Sequence, residues 1–199
     1  LDDIQWVFTR GGIGHFIEME EYTYRDLTLE FLTTFQVEVT RAPQCQAGYI
    51  LFYLQGQFYE LNLGTFNNIF GFPPSMDLQN HQVPQEFNPN AFWGELSGSA
   101  RYSTSSPKCT HIINPCIRVA QRILDWCFFI RDDSLNVHRL SKSYFLSCML
   151  DGVQSDPEVF LVRQLYSIAV STKGRIVIGG VITTIARFFG GLIKLLLSY

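Results

Sequence analysis

Cys109, His111 and Cys116 lie close together in a stretch rich in Ser and Pro, and thiolate with imidazole is a donor set that zinc accepts. A fourth ligand at a usual spacing is missing, and so is the Cys, Cys, His, Cys order of a zinc knuckle. The three are expected to pack as loop residues, with no metal and no cofactor. Asp132 and Asp133 have the composition of a catalytic carboxylate pair, but neighbours at a helix end point in different directions and no third acid falls nearby. Ser147 with Cys148 has no glycine-flanked elbow. Gly11, Gly12 and Gly14 lack the preceding strand and third glycine of a dinucleotide fingerprint and are expected to form a bend. His15, His81 and His138 stand singly, so catalytic residues are expected to be none and the chain is not expected to be an enzyme.

Binding chemistry has one candidate. Arg118, Arg122, Arg131, Arg139 and Lys142 form the basic cluster of the chain, and four of them, Arg118, Arg122, Arg139 and Lys142, would hold a phosphate backbone if two neighbouring helices brought them alongside. The competing reading is a solvated face that Asp125, Asp132 and Asp133 largely neutralise. Composition favours the second. Lys and Arg total 15 against 18 Asp and Glu, a net charge of −3, so no global basic field gathers nucleic acid.

The elements that must carry these residues can be read from periodicity. Tyr24, Leu27, Phe31 and Phe35 recur at helical spacing, with Thr23 and Asp26 placed like a capping box. Val37 to Thr40 alternates as a short strand. Tyr49 to Leu54 and Phe58 to Leu61 are aromatic and β-branched, and Gln55, Gly56 and Gln57 supply the turn of a hairpin. Asn62 or Thr65 can then cap a short helix presenting Phe66, Ile69 and Phe70 to one side, stopped by Gly71 and two prolines. Residues 75–107 read as an irregular Pro, Ser and Gly-rich connection, interrupted around Asn90 to Leu96 by a short helix anchored through Phe92, Trp93 and Leu96.

Helices dominate the second half of the chain. Asn114 and Pro115 open one that runs to Ile130, with Arg118, Gln121, Arg122 and Asp125 as its single polar stripe. Asn136 opens another, to Met149, with Val137, Leu140, Tyr144 and Cys148 on one face. Ser155, Pro157 and Glu158 start a third, through Val170, facing inward with Val159, Val162 and Tyr166. The block from Ile176 to Tyr199 has two readings: a buried helix over about Arg175 to Phe189 followed by a tail, or a membrane-associated segment in which Lys194 snorkels. Arg187, Lys194 and four glycines favour the first.

Three of these segments together, YRDLTLEFLTTF (Tyr24 to Phe35), GYILFYLQGQFYELNLGTFNNIFGFPP (Gly48 to Pro74) and GRIVIGGVITTIARF (Gly174 to Phe188), resemble plant retrotransposon proteins of the Athila type. These are first-open-reading-frame products of gypsy-class elements, grouped as a plant transposon protein domain. The resemblance spans about Tyr22 to Phe189 and implies ancestry without any transferable catalytic residue. Signatures of reverse transcriptase, integrase and retroviral protease are absent.

Charged residues are 17% of the chain against roughly 25% in an average soluble domain, while hydrophobic residues reach 47%, so the protein is sticky for its size. The five cysteines are an odd number, and Cys127 and Cys148 sit in apolar helical patterns as buried thiols do. With no secretory leader visible, an intracellular location is expected, nucleus or cytoplasm. The opening residue, Leu1, suggests a fragment or processed product. The expected architecture is α+β: a mainly helical bundle with a small antiparallel hairpin sheet in the N-terminal third. It divides into residues 1–74, 75–107, 108–189 and an apolar tail at 190–199, all within one compact domain. The expected role is non-enzymatic, through self-association or a protein partner. A nucleic-acid-binding module and a membrane-associated protein acting through Ile176 to Tyr199 are the alternatives.

Overall fold

Three asparagines set the starts of helices in this chain. The Oδ1 of Asn62 accepts from the Thr65 amide at 2.7 Å, and that of Asn88 from the amides of Asn90 and Ala91 at 3.1 and 3.2 Å. Asn114 accepts from Cys116 and Ile117 at 2.9 and 3.4 Å. Each oxygen satisfies amides that a first helical turn leaves without intrahelical partners. The computed structural model describes residues 2–38, 48–74, 83–98, 108–129, 140–171, 176 and 178–190. In chain order its elements begin with helices α1 (Asp2–Arg10), α2 (Gly14–Ile17) and α3 (Arg25–Thr34), then strands β1 (Gln36–Glu38), β2 (Tyr49–Leu54) and β3 (Gln57–Asn62). Helices α4 (Leu63–Phe70), α5 (Pro89–Ser97), α6 (Pro115–Cys127), α7 (Leu140–Asp151), α8 (Pro157–Ala169) and α9 (Gly179–Phe188) come after the sheet, with a 3-10 turn over Cys109–His111 ahead of α6. The fold is α+β and mainly helical, with its antiparallel sheet in the N-terminal third.

Packing groups these elements into two compact units, each made from two stretches of sequence: Leu1–Ile17 with His81–Ser155, and Glu18–Asn80 with Asp156–Tyr199. Helices α1 and α2 therefore pack with part of the helical second half, although sequence order places them beside the hairpin.

In the unit that holds the sheet, the strand order is β1-β2-β3, with Val37 opposite Ile50 and Phe52 opposite Tyr59. Gln55 and Gly56 alone make the turn, at φ 54° and 72°, which is the left-handed backbone of a two-residue hairpin turn. Gln57, expected in the turn, pairs with Leu54. Helix α3 holds this hairpin from outside. The Glu30 carboxylate accepts from the amides of Gln55 and Gly56 at 2.5 and 2.6 Å, and the Thr34 hydroxyl accepts from Tyr53 N at 2.9 Å, just beyond the end of β1. Phe31 of α3 meets Phe52 at a ring separation of 4.7 Å in the core, where such pairs add roughly 0.5–1.5 kcal/mol to burial.

The capping box expected at the start of α3 does not form. Tyr24 occupies the cap position without a side-chain bond, and Thr23 instead lies against the backbone of Gly179 in α9, where any β-carbon would collide with it. Thr183 donates to Tyr22 O at 2.6 Å and Arg187 pairs with Glu21 at 2.8 Å, so α9 is tied to the segment leading into α3. This helix spans ten residues, about 15 Å at 1.5 Å per residue. Among the described residues no helix is long and apolar enough to cross a membrane, and residues 191–199 lie outside them. Helix α8 buries Val159, Leu161, Val162 and Leu165, but Tyr166, expected inside, faces out, and Asp156 rather than Ser155 is its cap residue, with no side-chain bond to the first-turn amides.

In the other unit, α1 and α2 meet at a bend where Gly12 has φ 71°, in line with the bend expected of the three glycines. A β-carbon on Gly11 would strike the Met149 side chain, so α7 packs directly against the bend. Helix α5 packs on α7 through buried Trp93 and Leu96. Helix α7 buries Phe145, Leu146 and Met149 together with Cys148; of the face expected for it, Leu140 is exposed, Tyr144 half-buried, and Val137 outside the described residues. Its end is held by Arg10 of α1, which donates to Asp151 O at 2.8 Å.

Candidate functional site

Helix α6 carries the residues expected to do most, and it divides them differently from the single polar stripe. At 100° per residue, Gln121, Leu124, Asp125 and Phe128 fall on one side, and Val119, Arg122 and Trp126 on the other. The first side is the buried one. Val119 and Trp126 are 42% and 62% exposed, with exposed Arg122 between them. Arg118 is half-buried at the edge, where its Nη2 donates to Ile113 O at 3.2 Å.

The buried side of α6 meets α7 and the 3-10 turn in a polar cluster. Asp125 Oδ1 accepts from Lys142 Nζ at 2.5 Å and from Gln121 Nε2 at 3.1 Å, while Oδ2 accepts from Cys109 Sγ at 3.4 Å. Both charged side chains are almost wholly removed from solvent, at 5% and 1% exposure, and the Lys142 ammonium stands 5.3 Å from the centre of the Phe129 ring. Burial raises the Asp125 carboxyl above its ordinary 3.8, against the Lys142 charge and the hydrogen bonds from Lys142, Cys109 and Gln121 that pull it down. Burial, together with the Asp125 charge, pushes the Cys109 thiol up to about 12. A thiol held that high and that deep is no nucleophile at neutral pH.

This corrects the expected basic face. Lys142 is an interior cation compensated by Asp125, because an isolated buried ammonium would be too costly to keep charged. Arg139 lies outside the described residues, as do Arg131, Asp132 and Asp133. Arg118 and Arg122 are thus what the described structure leaves of the set. The zinc-like trio is dispersed by role: Cys109 is bonded to Asp125, His111 is exposed, and Cys116 Sγ faces the Asp3 carboxylate at 3.9 Å. Among the described residues no three His, Cys, Asp or Glu side chains are placed to hold a metal ion.

The sheet offers the second surface. Strand alternation sends Ile50, Phe52, Leu54 and Leu61 to the core. It sends Leu51, Tyr53, Phe58 and Glu60 to the opposite face, where Tyr53 and Phe58 are directly paired across the strands. Their rings are 5.4 Å apart, and they are 42% and 50% exposed. Around them stand Gln36, Glu38, Glu60 and Asn62, all exposed, and none of the three strands contains Lys or Arg. An apolar pair rimmed by carboxylates suits a protein surface and repels a phosphate backbone. The alternating aromatics of the hairpin are visible in the sequence, but which members face out depends on the side that α3 covers. Trp126 was hidden because the sequence of α6 shows one polar stripe, Arg118, Gln121, Arg122 and Asp125, that points to solvent by its chemistry, whereas the structure turns Gln121 and Asp125 inward.

No curated protein and no solved structure matches the chain. A model of the ATHILA ORF-1 family matches residues 1–140 of the 199, a range that takes in α3, the whole sheet, α4 and α6; the segment Gly174 to Phe188 lies beyond it. The chain belongs to the ATHILA ORF-1 family, and is a retrotransposon first-open-reading-frame protein.

Proposed function

We propose that this retrotransposon-derived protein is non-enzymatic and acts by protein–protein assembly through the open face of its sheet. The observation that carries the reading is the exposed Tyr53–Phe58 pair, an aromatic contact that the fold places outward and surrounds with carboxylates and amides. Aromatic side chains anchor protein interfaces because they bury large apolar area at low conformational cost. Among the described residues, the polar cluster around Asp125 is closed to solvent and its two charges compensate each other, which suits a structural role better than turnover. Four described cysteines are free thiols, in keeping with an intracellular setting.

Light scattering of the purified chain, with and without RNA or DNA, tests the proposal. A discrete oligomer that ignores nucleic acid and is lost on Tyr53→Ser with Phe58→Ser is the expected result. A monomer that changes state only when nucleic acid is added overturns it and restores the Arg118 and Arg122 reading.

A further inference from the structure

Resting on that assembly reading, we infer that the partner of the sheet face is the outward face of α6 on a second copy of the same chain. The two faces have complementary chemistry. The sheet presents an aromatic pair beside an uncompensated anion, since Glu60 follows Phe58 by two residues on the same face. Helix α6 presents Trp126 and Val119 around an uncompensated cation, Arg122. Among the described residues neither Glu60 nor Arg122 takes part in an ion pair.

Their spacings also agree. Two residues along a strand advance about 6.8 Å and four along a helix about 6 Å, so an indole seated on Tyr53 and Phe58 brings the Arg122 guanidinium over Glu60. Helix α8 also turns Tyr166 and Val170 outward, but its Arg163 stands at the end of that row and is already engaged. Helix α6 has its cation between its apolar contacts.

Because the two faces differ, the contact is heterologous: each copy offers one sheet face and one α6 face, and assembly proceeds head to tail into a ring or a filament. The test is a mixing experiment read by analytical ultracentrifugation, with circular dichroism confirming that each surface variant is folded. Wild type is expected to self-associate, while Phe58→Ser with Tyr53→Ser, and separately Trp126→Ser with Arg122→Glu, are each monomeric alone. Mixed in equal amounts, the two are expected to form a 1:1 dimer that grows no further, since each retains one working face. Arg122→Glu alone should weaken association by at least about tenfold, as like charges juxtaposed in an interface do, and Glu60→Arg on the same chain should restore it. If wild type assembles and the sheet variants abolish this but the α6 variants do not, or the mixture stays monomeric, the inference is overturned and the assembly reading stands. A wild-type chain that stays monomeric overturns both.

Discussion

Replacing Lys142 by Met should destabilise the protein by about 3–5 kcal/mol at pH 7, the usual cost of stripping one partner from a buried ion pair. Methionine fills most of the space, so the loss is chiefly electrostatic: Asp125 keeps Gln121 and Cys109 but has no counter-charge at 1% exposure. The variant can escape only by protonating Asp125 in the folded state. From an ordinary value of 3.8 that costs about 4 kcal/mol at pH 7 and about 1.5 kcal/mol at pH 5, at 1.36 kcal/mol per pH unit. The direction comes from linkage. Burial already raises the folded carboxyl above its unfolded value, and removing Lys142 raises it further, so between those two values the folded state binds the extra proton and stability falls as pH rises. Urea unfolding of both proteins at pH 5, 6 and 7 should therefore give a deficit that shrinks on acidification. Adding Asp125→Asn should recover most of the loss at pH 7, since the amide carries no charge, its one oxygen still accepts from Gln121, and its NH2 at the other position can donate to Cys109 Sγ. A deficit below about 1 kcal/mol, or one independent of pH, would mean that the pair is solvated, and the reasoning would fail.

Two further substitutions or reagents probe the rest of the fold. Gly179→Ala should cost about 1–3 kcal/mol in denaturant unfolding, because its β-carbon enters the space of Thr23, and Thr23→Gly on the same chain should return most of it; equal stability of Gly179→Ala and wild type refutes that contact. Cys109 should resist a thiol reagent at pH 8 in the native state, since a thiol near 12 is about one part in ten thousand thiolate there, and should label only at the rate of unfolding; labelling as fast as in urea would contradict its burial.

The elements were legible where local chemistry decides them. Alternation in Tyr49–Leu54 and the flexible Gln55-Gly56 pair specify a hairpin whatever else the chain does. Asn62 and Asn114 announce helix starts through their own side chains. What could not be read was decided between distant residues. Thr23 has the right type and spacing for a cap, yet Gly179, far along the chain, takes up its position. Helix α7 buries Lys142, Ser143 and Ser147 beside Phe145 and Leu146, so no apolar stripe distinguishes its inner face. Lys142 read as a surface cation because nothing near it in sequence reveals that Asp125 lies within 2.5 Å.

The candidate surface on α6 and the buried pair are linked by the rotation of one helix. Were α6 turned to bury Val119, Ile123 and Trp126, Gln121 and Asp125 would be solvated and need no partner, and the desolvation of a carboxylate and an ammonium, several kcal/mol per ion, would be avoided. The observed rotation does the reverse, placing Asp125 inside and Trp126 at 62% exposure. Lys142 supplies a counter-charge that makes the inward Asp125 tolerable, while Ala120, Leu124 and Phe128 are buried on the same side of α6. The Lys142→Met with Asp125→Asn protein, though nearly as stable as wild type, lacks the charge pair that ties this face of α6 to α7. Its Trp126 fluorescence should then move toward shorter wavelengths and its self-association weaken. An unshifted Trp126 spectrum in a folded double variant would separate the ion pair from the surface and leave packing alone to orient the helix.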